Sequence, residues 1–184
     1  MAKTASNLKL KRVTEVASEL LDRAGITNTP VDLNQVLAVA GIKAQAVDLG
    51  EDVSGLLAVQ NRIGVIAYSE NQGRQRQRFT IAHELGHFLL HLPEGNQDTV
   101  FLDKDFIVKY RSNKAYTETE MRQEQEANTF AASVLMPKEL IFKTLARKDM
   151  QKLSETDLIE TLAQIFEVSV PAMTFRLSNL SILY

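Results

Sequence analysis

The chain contains no cysteine, which excludes disulfide frameworks, thiolate nucleophiles and every cysteine-based zinc site. Any strong metal site must therefore be built from histidine, aspartate and glutamate. Histidine is itself scarce, three in 184 residues, so its placement is informative. A basic excess is also missing: the formal charge is -2 and the pI near 6.0, so the chain as a whole lacks the surplus of cations that counterion-release binding to nucleic acid exploits. There is no run of about eighteen apolar residues, and the polar, basic residues 1–13 hold no apolar stretch of signal-sequence length. The expectation is a cytoplasmic protein with no membrane span. Internal repeats and low-complexity tracts are absent as well. With 45% apolar and 24% charged residues in 184, what remains is an ordinary globular composition, long enough for one compact domain or a domain with a small appendage.

Periodicity lays out the elements. Leu8, Val13, Val16, Ala17, Leu20, Leu21 and Ala24 recur at helical spacing, with Ser6 and Asn7 as candidate caps and Gly25 as a stop. A second, shorter helix is expected from Asp32 to Gly41, carrying Leu33, Val36, Leu37 and Ala40 inward. From Ile42 the period shortens. Ile42, Ala44 and Ala46 alternate with polar residues, then Gly55–Gln60 and Gly64–Tyr68 form apolar runs around Asn61-Arg62, which reads as a small antiparallel sheet ending in a hairpin. Glu70 to Gln77 is strongly polar, and the basic run Arg74, Arg76, Arg78 reads as a solvated loop. A helix follows over Phe79–Leu92 and holds all three histidines.

Val100 to Tyr110 reads as extended and Arg111 to Thr117 as a polar connection. Another long helix is expected from about Thr117 until Pro137, which cannot continue the backbone ladder. In the tail, Ser154 and Asp157 make a capping box ahead of Leu158, Leu162, Ile165 and Phe166, and Ser169 with Pro171 starts a last helix through Leu177. The fold class is thus α+β, mainly helical with a small sheet. Residues 1–137 form the core unit, and 138–184 a helical extension that can belong to the same domain.

The chemistry lies in His83-Glu84-Leu85-Gly86-His87, an H-E-x-x-H pattern. On a helix, imidazoles at i and i+4 project from one face with Cβ atoms about 5–6 Å apart, so both can reach one ion. Glu84 lies about 100° around the helix from His83, free to approach a water at that ion from the side as a general base. A surface helix that happens to hold two histidines is the bland alternative, and the apolar flanks at Ile81, Ala82, Leu85 and Phe88 argue against it. Gly86 costs about 1 kcal/mol relative to Ala in mid-helix, but a small residue there could let another element come close to the metal. A catalytic site needs a third protein ligand. His91 lies about 12 Å by rise from His83, too far to share one ion on a straight helix, and reads as a helix-end or rim residue.

The stretch Arg78-Phe-Thr-Ile-Ala-His-Glu-Leu-Gly-His87, followed by Glu124-Gln-Glu-Ala-Asn-Thr-Phe-Ala-Ala-Ser-Val-Leu-Met-Pro137, resembles the ImmA/IrrE family of metallopeptidases, small gluzincins with a thermolysin-like core. That resemblance implies Zn2+ as cofactor, with His83 and His87 as ligands and Glu84 as the catalytic base. It also implies a third ligand from a glutamate on the helix after the H-E-x-x-H helix, packed against it. Glu124 or Glu126 must fill that role. Gluzincin patterns place Asp or Asn four residues after the ligand, where it can hold a ligand histidine by its free ring nitrogen. Glu124 and Asn128 have this spacing, so Glu124 is taken as ligand and Asn128 as its neighbour holding a histidine, with Glu126 the fallback. Glu118, Glu120 and otherwise Glu126 read as solvated charges.

The tail from Leu162 to Leu177 also looks like the end of such family members and has the shape of a helix-turn-helix. Yet 138–184 balances six Lys plus Arg against six Asp plus Glu, with only Arg176 basic in the last helix. Phosphate contacts would be few, so the tail is expected to serve packing and direct nucleic-acid binding is not expected. The resemblance further implies a regulatory endopeptidase that cleaves a protein partner such as a helix-turn-helix repressor. The runner-up is a non-hydrolytic zinc-containing module acting by contact with a repressor or DNA, and the intact Glu84 argues against it. Gly64–Tyr68 is expected to offer an open edge to an extended substrate. Tyr68, Tyr110, Tyr116, His91 and Arg111 are the candidates to steady a developing oxyanion.

Overall fold

The computed structural model describes residues 2–60, 63–92, 99–104 and 117–183. Among these the chain runs α1 (Ala2–Arg23), α2 (Leu33–Ala40), β1 (Lys43–Val47), β2 (Val53–Gln60), β3 (Ile63–Ser69), α3 (Arg74–Leu90), β4 (Thr99–Lys104), α4 (Glu118–Leu135), α5 (Lys138–Leu145), a 3-10 turn (Met150–Lys152), α6 (Glu155–Phe166) and α7 (Val170–Asn179). This is the expected α+β class, mainly helical with a small sheet.

Local chemistry sets most boundaries. Asp32 accepts from the Asn34 backbone N–H at 2.9 Å to open α2, and Gly41 closes it in the left-handed region at φ 71. Thr117 and Glu120 form a reciprocal capping box at the start of α4. Ser154 and Ser169 cap α6 and α7 with their side chains. Three expectations differ. The first helix begins at Ala2, so Ser6 and Asn7 lie inside it rather than at its cap. Pro137, after ending α4, opens α5 as its N-cap, a helix whose inward residues Leu140, Ile141 and Thr144 span too short a stretch to announce it. The Arg74–Arg78 run is the first turn of α3, not a loop.

The sheet has the order β1-β3-β2-β4. The β2–β3 hairpin is antiparallel as expected, with Leu57 opposite Ile66. In contrast, β1 lies parallel to β3, Lys43 opposite Val65. Antiparallel β4 covers the far side of β2. Two partners flank β3, so Gly64–Tyr68 has no open edge for a substrate, and that expectation is overturned; among the described residues the edges of the sheet are β1 and β4. Residues 105–116, with the remainder of the expected extended segment and most of the polar connection, lie outside the described residues.

Helix α3 is sandwiched between the sheet and α4, and α1 packs on α4. One core joins Ala17 and Leu20 of α1, Leu57 and Ile66 of the sheet, Leu85 of α3, Phe130 and Val134 of α4, and Ile141, Leu162, Phe166 and Leu177 of the tail. No single helix among the described residues is long and apolar enough to cross a membrane.

Candidate metal centre

The site arises where α3 crosses α4. A Cβ added at Gly86 would lie 3.2 Å from the Ala127 Cα and 3.3 Å from its carbonyl oxygen, so the two backbones meet where a glycine faces a fully buried alanine. This close crossing, with Gly86 as the expected small residue, brings one turn of α4 against the histidine face of α3.

On that turn Glu124 reaches both histidines. Its carboxylate oxygens lie 3.3 Å from His83 Nε2 and 3.6 Å from His87 Nε2, and the two imidazole Nε2 atoms are 3.0 Å apart. A tetrahedral ion with bonds of about 2.0–2.2 Å holds its ligand atoms about 3.3–3.6 Å from one another. The two sides to Glu124 match such an ion and the 3.0 Å side between the histidines is slightly shorter; among the described residues His83, His87 and Glu124 are the group able to hold one. The histidine side chains are only 5% exposed, that of Glu124 34%, so the triangle has buried walls and one wetter corner.

Each histidine is also held from behind. Asn128 Oδ1 lies 3.0 Å from His83 Nδ1, one turn beyond Glu124 on the same face. An amide oxygen can only accept, so His83 donates from Nδ1 and its Nε2 lone pair is left facing the metal position. Glu84 is fully buried on the sheet side of α3. There β2 comes very close: a Cβ on Gly55 would stand 2.4 Å from Thr80 Cγ2 and 3.2 Å from Glu84 Oε1. Sequence reasoning did not single out Gly55. A glycine inside an apolar strand is the signal for such close backbone approach.

Residues 38–178 match the Peptidase M78 family, described as the IrrE N-terminal-like domain. The chain belongs to this family. No curated protein sequence matches it. Its fold is similar to that of a solved Mycobacterium tuberculosis transcriptional regulator, with a TM-score of 0.58 at 18% identity over 91% of this chain and 47% of that one. The chain thus spans about half the length of the regulator.

For a Peptidase M78 chain the His-His-Glu triangle is a metallopeptidase-like arrangement, and Glu84 sits between its two histidines in sequence. Glu126, the alternative third ligand, points elsewhere: its Oε2 is 3.0 Å from His91 Nε2. Neither it nor His91 is the residue expected from the sequence. The His91 side chain is 4% exposed and that of Glu126 16%, so they are neither a rim residue nor a solvated charge. His91 Nδ1 lies 3.0 Å from His87 Nδ1: a rise of about 12 Å from His83 keeps His91 off a shared ion but not away from His87, one turn back.

The arginine run stays solvated at Arg74, 74% exposed, and at Arg76, while Arg78 is 12% exposed, and all three are engaged. Arg74 and Arg78 reach Glu167 at 2.9 and 3.6 Å, Arg78 donates to the Val31 carbonyl at 3.0 Å, and Arg76 donates to Ser54 Oγ at 3.0 Å. Burial holds the Arg78 guanidinium below its ordinary pKa, with Glu167 opposing that shift. Of the oxyanion candidates, Tyr68 packs partly buried on the core opposite Gly55, and His91 is engaged by His87 and Glu126. Tyr110, Arg111 and Tyr116 lie outside the described residues.

Proposed function

We propose that this Peptidase M78 chain is a zinc-dependent endopeptidase that cleaves a specific protein partner, such as a helix-turn-helix repressor, in the cytoplasm. The observation that carries the reading is the convergence of His83, His87 and Glu124 within 4.8 Å of one another, with buried Glu84 on the same helix. When bound, zinc would polarise the scissile carbonyl and bring a water to a pKa near 7. Glu84 would act as the base, accepting a proton from a water in the site and returning it to the leaving amine, which needs no covalent intermediate. His83, His87 and Glu124 would hold the ion, with Asn128 keeping His83 aligned.

A neighbour of the same fold that is named a transcriptional regulator supports a regulatory setting. Direct nucleic-acid binding through the tail is disfavoured by Arg176, the one basic residue of α7. It is buried with its Nε donating to the Met136 carbonyl at 3.0 Å, and desolvation lowers its pKa to about 10. It ties α7 to the end of α4 and does not face a phosphate.

The test is metal content by mass spectrometry on wild type, Glu124→Ala, Glu126→Ala and Glu84→Gln. One zinc per chain is expected in wild type, Glu84→Gln and, at saturating zinc, Glu126→Ala, with loss in Glu124→Ala. Peptide cleavage by Glu84→Gln should fall about 100- to 10,000-fold, the share general-base catalysis contributes. A wild type that holds no zinc when supplied would replace this reading with a non-hydrolytic module that acts by binding its repressor.

A further inference from the structure

The metal triangle leaves one histidine of α3 and one carboxylate of α4 without an assigned task. His91, the C-cap of α3, lies between His87 and Glu126 with 3.0 Å contacts through its two ring nitrogens. An ionised carboxylate accepts and cannot donate. His91 Nε2 therefore carries the hydrogen that Glu126 receives, and in the neutral ring Nδ1 is left with a lone pair. That lone pair accepts from His87 Nδ1–H. With its hydrogen on Nδ1, His87 can turn its Nε2 lone pair toward an ion between His83 and Glu124, the form in which an imidazole ligates a metal.

We propose that His91 and Glu126 are positioning residues: a two-link hydrogen-bond relay that fixes the tautomer and ring orientation of His87 for metal binding. It does for His87 in two steps what Asn128 does for His83 in one. Glu126 and Asn128 both follow Glu124 on α4, so one helix supplies the carboxylate and both anchors. His91 does not touch the ion. Its effect passes through His87, and loss of an outer partner of this kind typically weakens metal affinity by about 10- to 100-fold.

The inference rests on the metal reading above, and the experiment separates the two. Nitrogen-15 NMR of the histidine rings in the metal-free protein reports the tautomer, and chelator competition reports the zinc Kd. In wild type ring Nδ1 of both His83 and His87 is expected to carry a hydrogen. His91→Leu, which keeps bulk and removes the acceptor, should populate the Nε2–H form of His87, leave His83 unchanged and raise the zinc Kd about 10- to 100-fold. His91→Asn places an amide oxygen near the position of ring Nδ1 and should restore most of both signals. Glu126→Gln, which can still accept from His91, should cost less than Glu126→Leu. An unaltered His87 tautomer and an unaltered Kd in His91→Leu would overturn the proposal. If that variant does not fold, the same two readouts on Glu126→Leu against Glu126→Gln decide, and equality of those two overturns it. A wild type without zinc affinity would remove the metal reading, while the tautomer measurement on metal-free protein would still test the relay.

Discussion

Asn128 and Glu126 stand two residues apart on α4, yet each meets a different histidine, because residues two apart on a helix point about 200° apart. The same geometry decides between Glu124 and Glu126 as ligand: only one can face the histidine pair, and which one depends on the rotation of α4 relative to α3. His83, Glu84 and His87 were legible from the sequence because their relation is local, set by helix pitch alone. Glu124 needed either a family pattern or the crossing itself. His91 was misjudged because contact with a ligand one turn away, rather than with the metal, was its actual relation to the site. For Asn128, whose oxygen meets His83 Nδ1 at 3.0 Å, replacement by Leu is expected to weaken zinc binding about 10- to 100-fold. Asn128→Asp, which keeps an acceptor there, should retain wild-type affinity within a few-fold. A chelator titration of the two variants checks this, and equal losses in both would show that the oxygen is not what matters.

Among the elements, α3 is the one on which everything converges, and its two ends are held differently. At the centre Gly86 allows α4 to approach, its hypothetical Cβ 3.2 Å from a backbone carbon that belongs to another helix and cannot easily retreat. Gly86→Ala should gain about 1 kcal/mol of helix propensity and lose about 1–3 kcal/mol to overpacking. The expected result is net destabilisation in urea melts, with weaker zinc binding as the helices separate. At its N-terminus three arginines face the positive end of the helix dipole, an unfavourable placement that a carboxylate offsets. Glu167 supplies it from the left-handed residue that ends α6, at φ 52. Glu167→Ala should cost about 1 kcal/mol from the lost ion pairs, the Cβ strain of that conformation being unchanged. Glu167→Gly loses the same pairs without the backbone strain and should melt above Glu167→Ala. Periodicity could place these helices and their caps, since caps are local. It could not foresee that a polar basic run belongs to a helix, because its partner lies 93 residues away.

At the scale of the whole molecule, the proposed ion would join ligands from both α3 and α4, so its binding would be coupled to folding through their contact. Zinc in about hundredfold excess over Kd should stabilise the fold by about 2.7 kcal/mol, which at about 2–4 °C per kcal/mol raises Tm by about 5–10 °C. Chelator should reverse the shift in wild type and have no effect on Glu124→Ala in a thermal melt. The core does not stop at Pro137. Ile141, Leu162, Phe166, Met173 and Leu177 are all fully buried with Val134 and Leu135, so a chain cut after Pro137 is expected to lose cooperative melting. What the sequence determined by itself was whatever depends on near neighbours: the helices and their caps, the hairpin, and the phase of two histidines and a glutamate on one helix. Only the tertiary structure decided the parallel placement of β1, the closed edges of β3, the meeting of Glu124 rather than Glu126 with His83 and His87, and the burial of the His91 side chain. Each of these depends on where one element packs against another, and packing distance and rotation are set by the steric fit of side chains far apart in the chain.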